Sequence, residues 1–332
     1  MGSIMSKKTS VFLIVILLSL VSCIATETPS ESKEVRTVRY VNFKVYDPVY
    51  VAIEKGFFEK HGIQVKIIGD VLGGPNAIQA VSAGSAEAGL SSIPAIVNAN
   101  AAGLPIQGVV DIQTTLEGQS LQNWYVREDY PLTDLADVYD MEPKPTYAVN
   151  IWRSSFHYTS LLAFDQMGIP EDCVNWVLLS FSDQIPSLVN GEADIIGLIE
   201  PYQTYLEDEY PDDIRMLFND YDDVYGSRHV SLIFVNRIWA REKPDEAKAF
   251  AHGLVDAIRW IEANQDEAQG IISKYTGIPA ASVSDYHFTP NGQVRMDDIN
   301  AWIDWLKSKD EIPDWIDSDQ VATNQYVNTF EE

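Results

Sequence analysis

Basic residues are scarce in this chain of 332 residues: 23 Lys and Arg stand against 49 Asp and Glu, a formal charge of −26. A surface of that sign repels nucleic-acid phosphates and anionic lipid headgroups, which excludes both as partners. Cysteine is scarcer still, with only Cys23 and Cys173, so no disulfide framework is available. Long apolar runs are missing too. The one run near the N-terminus, Val11 to Leu18 and on to Val21 with a single Ser, is too short for a permanent membrane span. Enzyme signatures are absent: there is no phosphate-binding loop, no Gly-x-Ser-x-Gly elbow and no paired-histidine motif on a helix. His61 falls at a predicted helix C-terminus, and His157 and His229 stand alone, without the Cys or carboxylate spacing of a metal site. The expectation is a protein without catalytic residues, metal or cofactor.

What is present begins with Lys7 and Lys8, the apolar run, and then Leu20-Val21-Ser22-Cys23. This is the layout of a secretory signal over residues 1–22, and Leu-Val-Ser-Cys resembles the lipobox whose cysteine becomes the lipidated first residue. Residues 23–36, rich in Ser, Thr, Glu and Pro, read as a solvated tether. Losing Lys7 and Lys8 with the signal leaves 21 basic residues against 49 acidic ones, minus 28. The remaining chain, about 310 residues, is long enough for two cored lobes.

From residue 37 strand and helix signals alternate, which predicts sheets of mainly parallel strands flanked by helices, an α/β fold. Strands are expected over 37–43, 64–68, 106–112, 123–126, 146–151, 174–179, 193–199 and 229–235. Helices are expected between them and over 244–264, 266–275 and 297–307. Ala247, Phe250, Leu254, Ile258 and Ile261 recur at helical spacing, and Trp302 and Trp305 read as packing residues on a late helix. One stretch recurs. Gly84-Ser-Ala-Glu-Ala-Gly-Leu-Ser-Ser-Ile-Pro94 returns 107 residues later as Gly191-Glu-Ala-Asp-Ile-Ile-Gly-Leu-Ile-Glu-Pro201, with Ile78 falling on Ile185. An echo this short is either shared helix-to-strand punctuation, since such loops reuse Gly in this way, or the mark of two α/β lobes of similar design, with ligands expected beyond the carboxyl ends of the strands.

Pro48-Val-Tyr-Val-Ala-Ile-Glu-Lys-Gly-Phe-Phe-Glu-Lys-His-Gly-Ile63, then Gly73-Gly74, Ser82-Ala83-Gly84, Ala86-Glu87-Ala88-Gly89-Leu90 and Gly103-Leu104-Pro105-Ile106, form an ordered set. It resembles the solute-binding components of ABC importers, in particular the group handling nitrate, sulfonates, taurine and thiamine-pyrimidine precursors. The resemblance implies a two-lobed periplasmic-binding-protein fold of type II, with two crossings and a cleft at the hinge. Lobe 1 is then expected over 37–127 and 229–332, and lobe 2 over 128–228. Hinges are expected near residues 123–128 and 225–229. The implied protein is a monomer, lipid-anchored through Cys23 on the outer face of the cytoplasmic membrane. It would hand a small solute to permease subunits driven by a cytoplasmic ATPase.

Ligand residues are sought at strand-to-helix turns, where helix N-termini offer unpaired N–H groups and partial positive charge. In lobe 1 these are Tyr46, Asp47, Tyr50, Gly74, Asn76, Ser91 and Ser92. In lobe 2 they are Trp152, Arg153, Ser154 and Ser155, with Glu200, Tyr202 and Arg228 on the same rims. Ser154 and Ser155 serve equally as helix caps. Arg153 would fork onto a sulfonate or carboxylate, whereas Glu200 would accept from an amine or aminopyrimidine. Val45-Tyr46-Asp47-Pro48 stands where the thiamine-precursor branch carries Trp and Asn before a His. That departure favours a small organic anion over a pyrimidine. A pyrimidine-precursor binder, or a synthase of that type, is the alternative.

Overall fold

The structure, a computed structural model, describes residues 36–330; Cys23 and the expected signal and tether lie outside them, Arg36 excepted. In the first strand, β1 (Arg36–Asn42), Val38 and Tyr40 face one core and Val41 faces the other, as the two-residue period of a strand requires. The chain continues through α1 (Pro48–Glu54), α2 (Phe57–Lys60), β2 (Ile63–Asp70), α3 (Gly74–Ser82), β3 (Ala88–Ser92), α4 (Ile93–Ala101) and β4 (Ile106–Thr114). After β5 (Asn123–Arg127) come β6 (Thr146–Val149), α5 (Ser155–Met167), β7 (Asn175–Leu178), α6 (Phe181–Val189), β8 (Ile196–Leu198), α7 (Tyr202–Glu209) and β9 (Ile214–Asn219). The last strand, β10 (His229–Asn236), leads into α8 (Arg237–Glu242), α9 (Pro244–Ala263), α10 (Gln265–Thr276), α11 (Met296–Ser308) and α12 (Ser318–Val321).

The first sheet has the order β2-β1-β3-β10-β4, with β10 antiparallel to both neighbours, so the other four strands point one way. Every residue of β10 is buried: Val230, Ile233 and Val235 meet the α9 side, while Leu232 and Phe234 meet α3, α4 and α11. In α9, Ala247, Phe250, Leu254, Ile258 and Ile261 form the buried stripe expected from their spacing, and Trp302 of α11 is fully buried. The second group of strands repeats the plan. β8-β5-β9 form one antiparallel ladder and β6-β7 a parallel pair. A bridge between Tyr147 and Ile195 joins β6 to the segment entering β8. Here β5 alone runs against the rest.

The recurrence in the sequence is thereby explained. Gly84 closes α3 and Gly191 closes α6, each with φ of +75°, a conformation glycine adopts without Cβ strain, and each hands over to the strand beside the reversed one. Two expectations are corrected. The strand at residues 123–126, read as the end of the first lobe's run, ladders with β8 and β9 instead. The chain therefore passes between sheets at residues 115–122 and 220–228, so the hinge expected at 123–128 falls on β5.

The two passages are tied to each other. Thr115 N donates to Arg228 O at 2.9 Å, Asp220 N donates to Gln122 O at 3.0 Å, and Leu121 N donates to Asp220 Oδ1 at 3.0 Å. Beside the return to the first sheet, His229 is fully buried with Nδ1 2.7 Å from Asp111 Oδ1, and its Nε2 accepts from Arg295 N at 2.9 Å. That histidine is structural. The described residues form one compact unit, and the two halves touch, Tyr46 N donating to Glu200 O at 3.2 Å.

Candidate functional site

The carboxyl ends of β1, β3 and β4 and the N-terminus of α3 face the N-termini of α5 and α6 across a narrow cleft. Phe43, Gly74, Pro75, Ser92, Gln113 and Ser231 line one side. Asn150, Ser154, Ser155, Phe156, Phe181 and Ile199 line the other. The enclosed space is about 10 Å³, close to the room one water needs. The sides touch: a Cβ on Gly73 would come within 2.9 Å of Asn150 Nδ2 and of Ile151 Cγ2. A solute enters this cleft only if the sides part.

Local packing sets each wall. Gly74 lies so tightly over Ser91 that a Cβ would fall 2.1 Å from its Oγ, which brings the start of α3 down onto the end of β3. Phe156 is seated on Gly197 of β8, where a Cβ would fall 2.6 Å from its ring. Ser154 caps α5, its hydroxyl accepting from His157 N at 3.4 Å. Ser180 caps α6 in the same way through Asp183 N.

The cleft is defined by unsatisfied polar atoms. Ser92 Oγ, Asn150 Oδ1 and both amide atoms of Gln113 are buried without a hydrogen-bond partner, and Gln113 is 1% exposed. Buried polar groups are nearly always paired, so these four atoms give the cleft both donors and acceptors for a polar molecule. No Lys, Arg, Asp, Glu, His or Cys lines it.

Of the residues expected here, Gly74, Ser92, Ser154 and Ser155 line the cleft, Ser91 lies directly beneath Gly74, and Asn76 follows in the first turn of α3. The rest lie elsewhere. Asp47 is fully buried in the first core as the cap of α1. It accepts from Tyr40 OH at 2.7 Å, Val49 N at 2.9 Å and Asn42 Nδ2 at 3.0 Å, and burial raises its pKa. Tyr46 stacks on Tyr286 with ring centres 4.5 Å apart, and Tyr50 on Tyr275 at 4.3 Å. Trp152 is 43% exposed and Arg153 is exposed beside it, with φ of +63°. His157, packed edge-on to Trp152 and Trp176, is held down to about 4 by burial and by the Arg153 charge, and so is neutral. Arg228 lies over the Tyr225 ring in the second passage, and Tyr202 begins α7 beside Phe181. Glu200 accepts through its backbone O from Tyr46 N at 3.2 Å, and its side chain turns to Thr204 rather than into the cleft. The sequence reading missed Phe43, Gln113, Asn150, Phe181, Ile199 and Ser231. Gln113 carries no signal that sets it apart, since Gln107 and Asp111 precede it in β4 and Thr114 ends the strand.

Residues 44–268 match a family described as NMT1/THI5 like. The chain belongs to the NMT1/THI5-like family. A relative of this NMT1/THI5-like protein, the formylaminopyrimidine-binding protein of Halalkalibacterium halodurans, is 23% identical over 347 residues, covering 95% of this chain and 96% of that one. Among solved structures, the alkanesulfonate-binding protein SsuA from Xanthomonas axonopodis pv. citri, bound to MOPS, superposes with a TM-score of 0.72 at 17% identity. It covers 86% of this chain and 98% of its own. The desulfurization enzyme DszB superposes at 0.63 and 16% identity, over 88% and 98%. At such identities the likeness is one of fold, the two-sheet architecture of periplasmic binding proteins, and that fold carries binders and an enzyme alike. No helix of the described residues is long and apolar enough to cross a membrane.

Proposed function

We propose that this NMT1/THI5-like protein is the extracytoplasmic solute-binding component of an ABC importer, taking a small, flat, uncharged solute rich in N–H groups into the cleft between its sheets. The observation that carries the reading is the pair of partnerless acceptors on opposite walls, Gln113 Oε1 and Asn150 Oδ1, with Gln113 Nε2 beside the first. A nitrate or sulfonate has only acceptors, so it would pair with the amide N–H groups and serine hydroxyls of the lining and leave the two carbonyls to find other partners, at about 1–3 kcal/mol for each that does not. An amide, urea or aminopyrimidine edge satisfies acceptor and donor together, and Phe43, Phe156 and Phe181 suit its flat faces. The departure at Val45-Tyr46-Asp47-Pro48 lies in the core and not in the cleft lining, so it does not argue against a pyrimidine.

The small organic anion expected from Arg153 is the second reading. It is favoured by the N-termini of α3 and α5, which both open into the cleft. Binding rather than catalysis is supported by the lining, where serine hydroxyls stand without a histidine, lysine or carboxylate to activate them. A lipid anchor at Cys23, a monomeric state and delivery to a permease complete the proposal.

A thermal-shift panel of aminopyrimidines, ureas, alkanesulfonates and nitrate tests it. The cognate class at 100 times its Kd stabilises by about 2.7 kcal/mol. Stabilisation by sulfonates alone overturns the uncharged-solute reading in favour of the second, and silence across the panel overturns solute capture of either kind.

A further inference from the structure

Glu200 lies where the two halves of the molecule meet outside the cleft. Its backbone O accepts from Tyr46 N, which follows β1, and its side-chain Oε1 accepts from Thr204 Oγ1 of its own half at 2.9 Å. The other oxygen, Oε2, is buried without a hydrogen-bond partner. Glu207 of α7 approaches from the same half, and so does Tyr125 of β5, whose OH donates to Glu207 Oε1 at 2.7 Å. From the other half come Tyr46, Ser284 and Tyr286, the last stacked on Tyr46. None of these groups is a cation. A carboxylate formed here has neither counter-charge nor full hydration, and it lies beside the Glu207 carboxylate.

We propose that Glu200 is a proton-operated latch on closure: it holds a proton while the two sheets are together and releases it to solvent as they part. The inference rests on the reading that the sheets separate to admit a solute. In the closed form burial pushes the Glu200 carboxyl up to about 7, from an ordinary value of 4.5, against the pull of the Thr204 and Ser284 hydroxyls. Opening hydrates the group and returns it toward its ordinary value. Closing therefore takes up a proton between those limits and is favoured as pH falls through 7, by roughly some tens of fold between pH 8 and pH 5. The same linkage makes solute capture tighter, and release slower, on the acidic side.

Small-angle scattering of the unliganded protein at pH 5.5 and 8.5 tests the latch. The wild type should expand at the higher pH, and Glu200→Gln, which cannot ionise, should stay compact at both. A wild type of equal dimensions at the two values overturns the proposal, as does a Gln variant that expands like the wild type. Should that variant fail to fold, carbon NMR of the wild-type carboxyls decides: a Glu200 midpoint near 7 supports the latch and one near 4.5 sinks it. Because no ligand is used, a pH-dependent expansion stands even if every compound in the solute panel fails to bind.

Discussion

Gly74 and Ser91 are in such close approach that the Ser91 Cα itself would lie 2.8 Å from a Cβ on Gly74. Backbone cannot swing aside as a side-chain tip can. Gly74→Ala should therefore lift the start of α3 off β3, lowering stability by about 1–3 kcal/mol and weakening solute binding with it. Ser91→Gly in the same chain should restore only part of the loss. Thermal melts of the single and double variants check this.

Gln113→Leu should separate stability from function. It removes two buried orphan atoms while keeping volume, so the unliganded protein should gain about 1–2 kcal/mol. Affinity for the cognate solute should fall at least tenfold. Melting and calorimetry read the two effects, and a loss of both would mean that Gln113 is structural.

Arg153 carries a positive φ and an exposed side chain. Arg153→Gly should relieve the left-handed backbone and raise stability by up to about 1 kcal/mol. Arg153→Ala should leave affinity within twofold. A tenfold loss of binding in the alanine variant would return the guanidinium to the cleft and the organic anion to first place.

Asp220, which opens the second passage and ties it to the first, has its carboxyl pushed up to about 7 by burial, against hydrogen bonds from Leu121 N and Tyr225 OH. Its pKa in the fold lies above its ordinary 3.8. The stability tied to its proton is complete below about pH 4 and is lost as pH rises through 7. Asp220→Asn should accordingly be more stable than the wild type at pH 8, with the advantage shrinking toward pH 4. Denaturant titrations across that range measure it.

Cys23→Ser should release the protein from the membrane fraction into the medium if the lipobox is used. Retention in the membrane fraction would remove the anchor from the proposal.

The sequence was most legible where a residue type answers to one local geometry. Gly84 and Gly191 close helices with a left-handed residue, so their recurrence pointed to the repeated unit before any strand was placed. The α9 stripe was equally plain, because burial of one helix face imposes its own period. Strand signals say that a segment pairs but not with which partners, and β5 was accordingly assigned to the wrong sheet. The candidate site was legible in part. Ser92, Ser154 and Ser155 sit at turns that the alternation of elements locates. Gln113 and Asn150 are candidates through where their amides point, which no spacing records, and Tyr46, Asp47 and Tyr50 occupy a turn of the right kind whose side chains fold inward.

The reversed strand of the first sheet, β10, set between β3 and β4, also imposes an order of assembly. A chain emerging N-terminus first has all five strands of the second group, residues 123–219, before β10 exists. Until residues 229–236 follow, β3 and β4 have no common neighbour, and each presents an unpaired edge of the kind that recruits other chains. The half begun first is finished last, and the bare edges of β3 and β4 are where a chaperone has most to protect during synthesis.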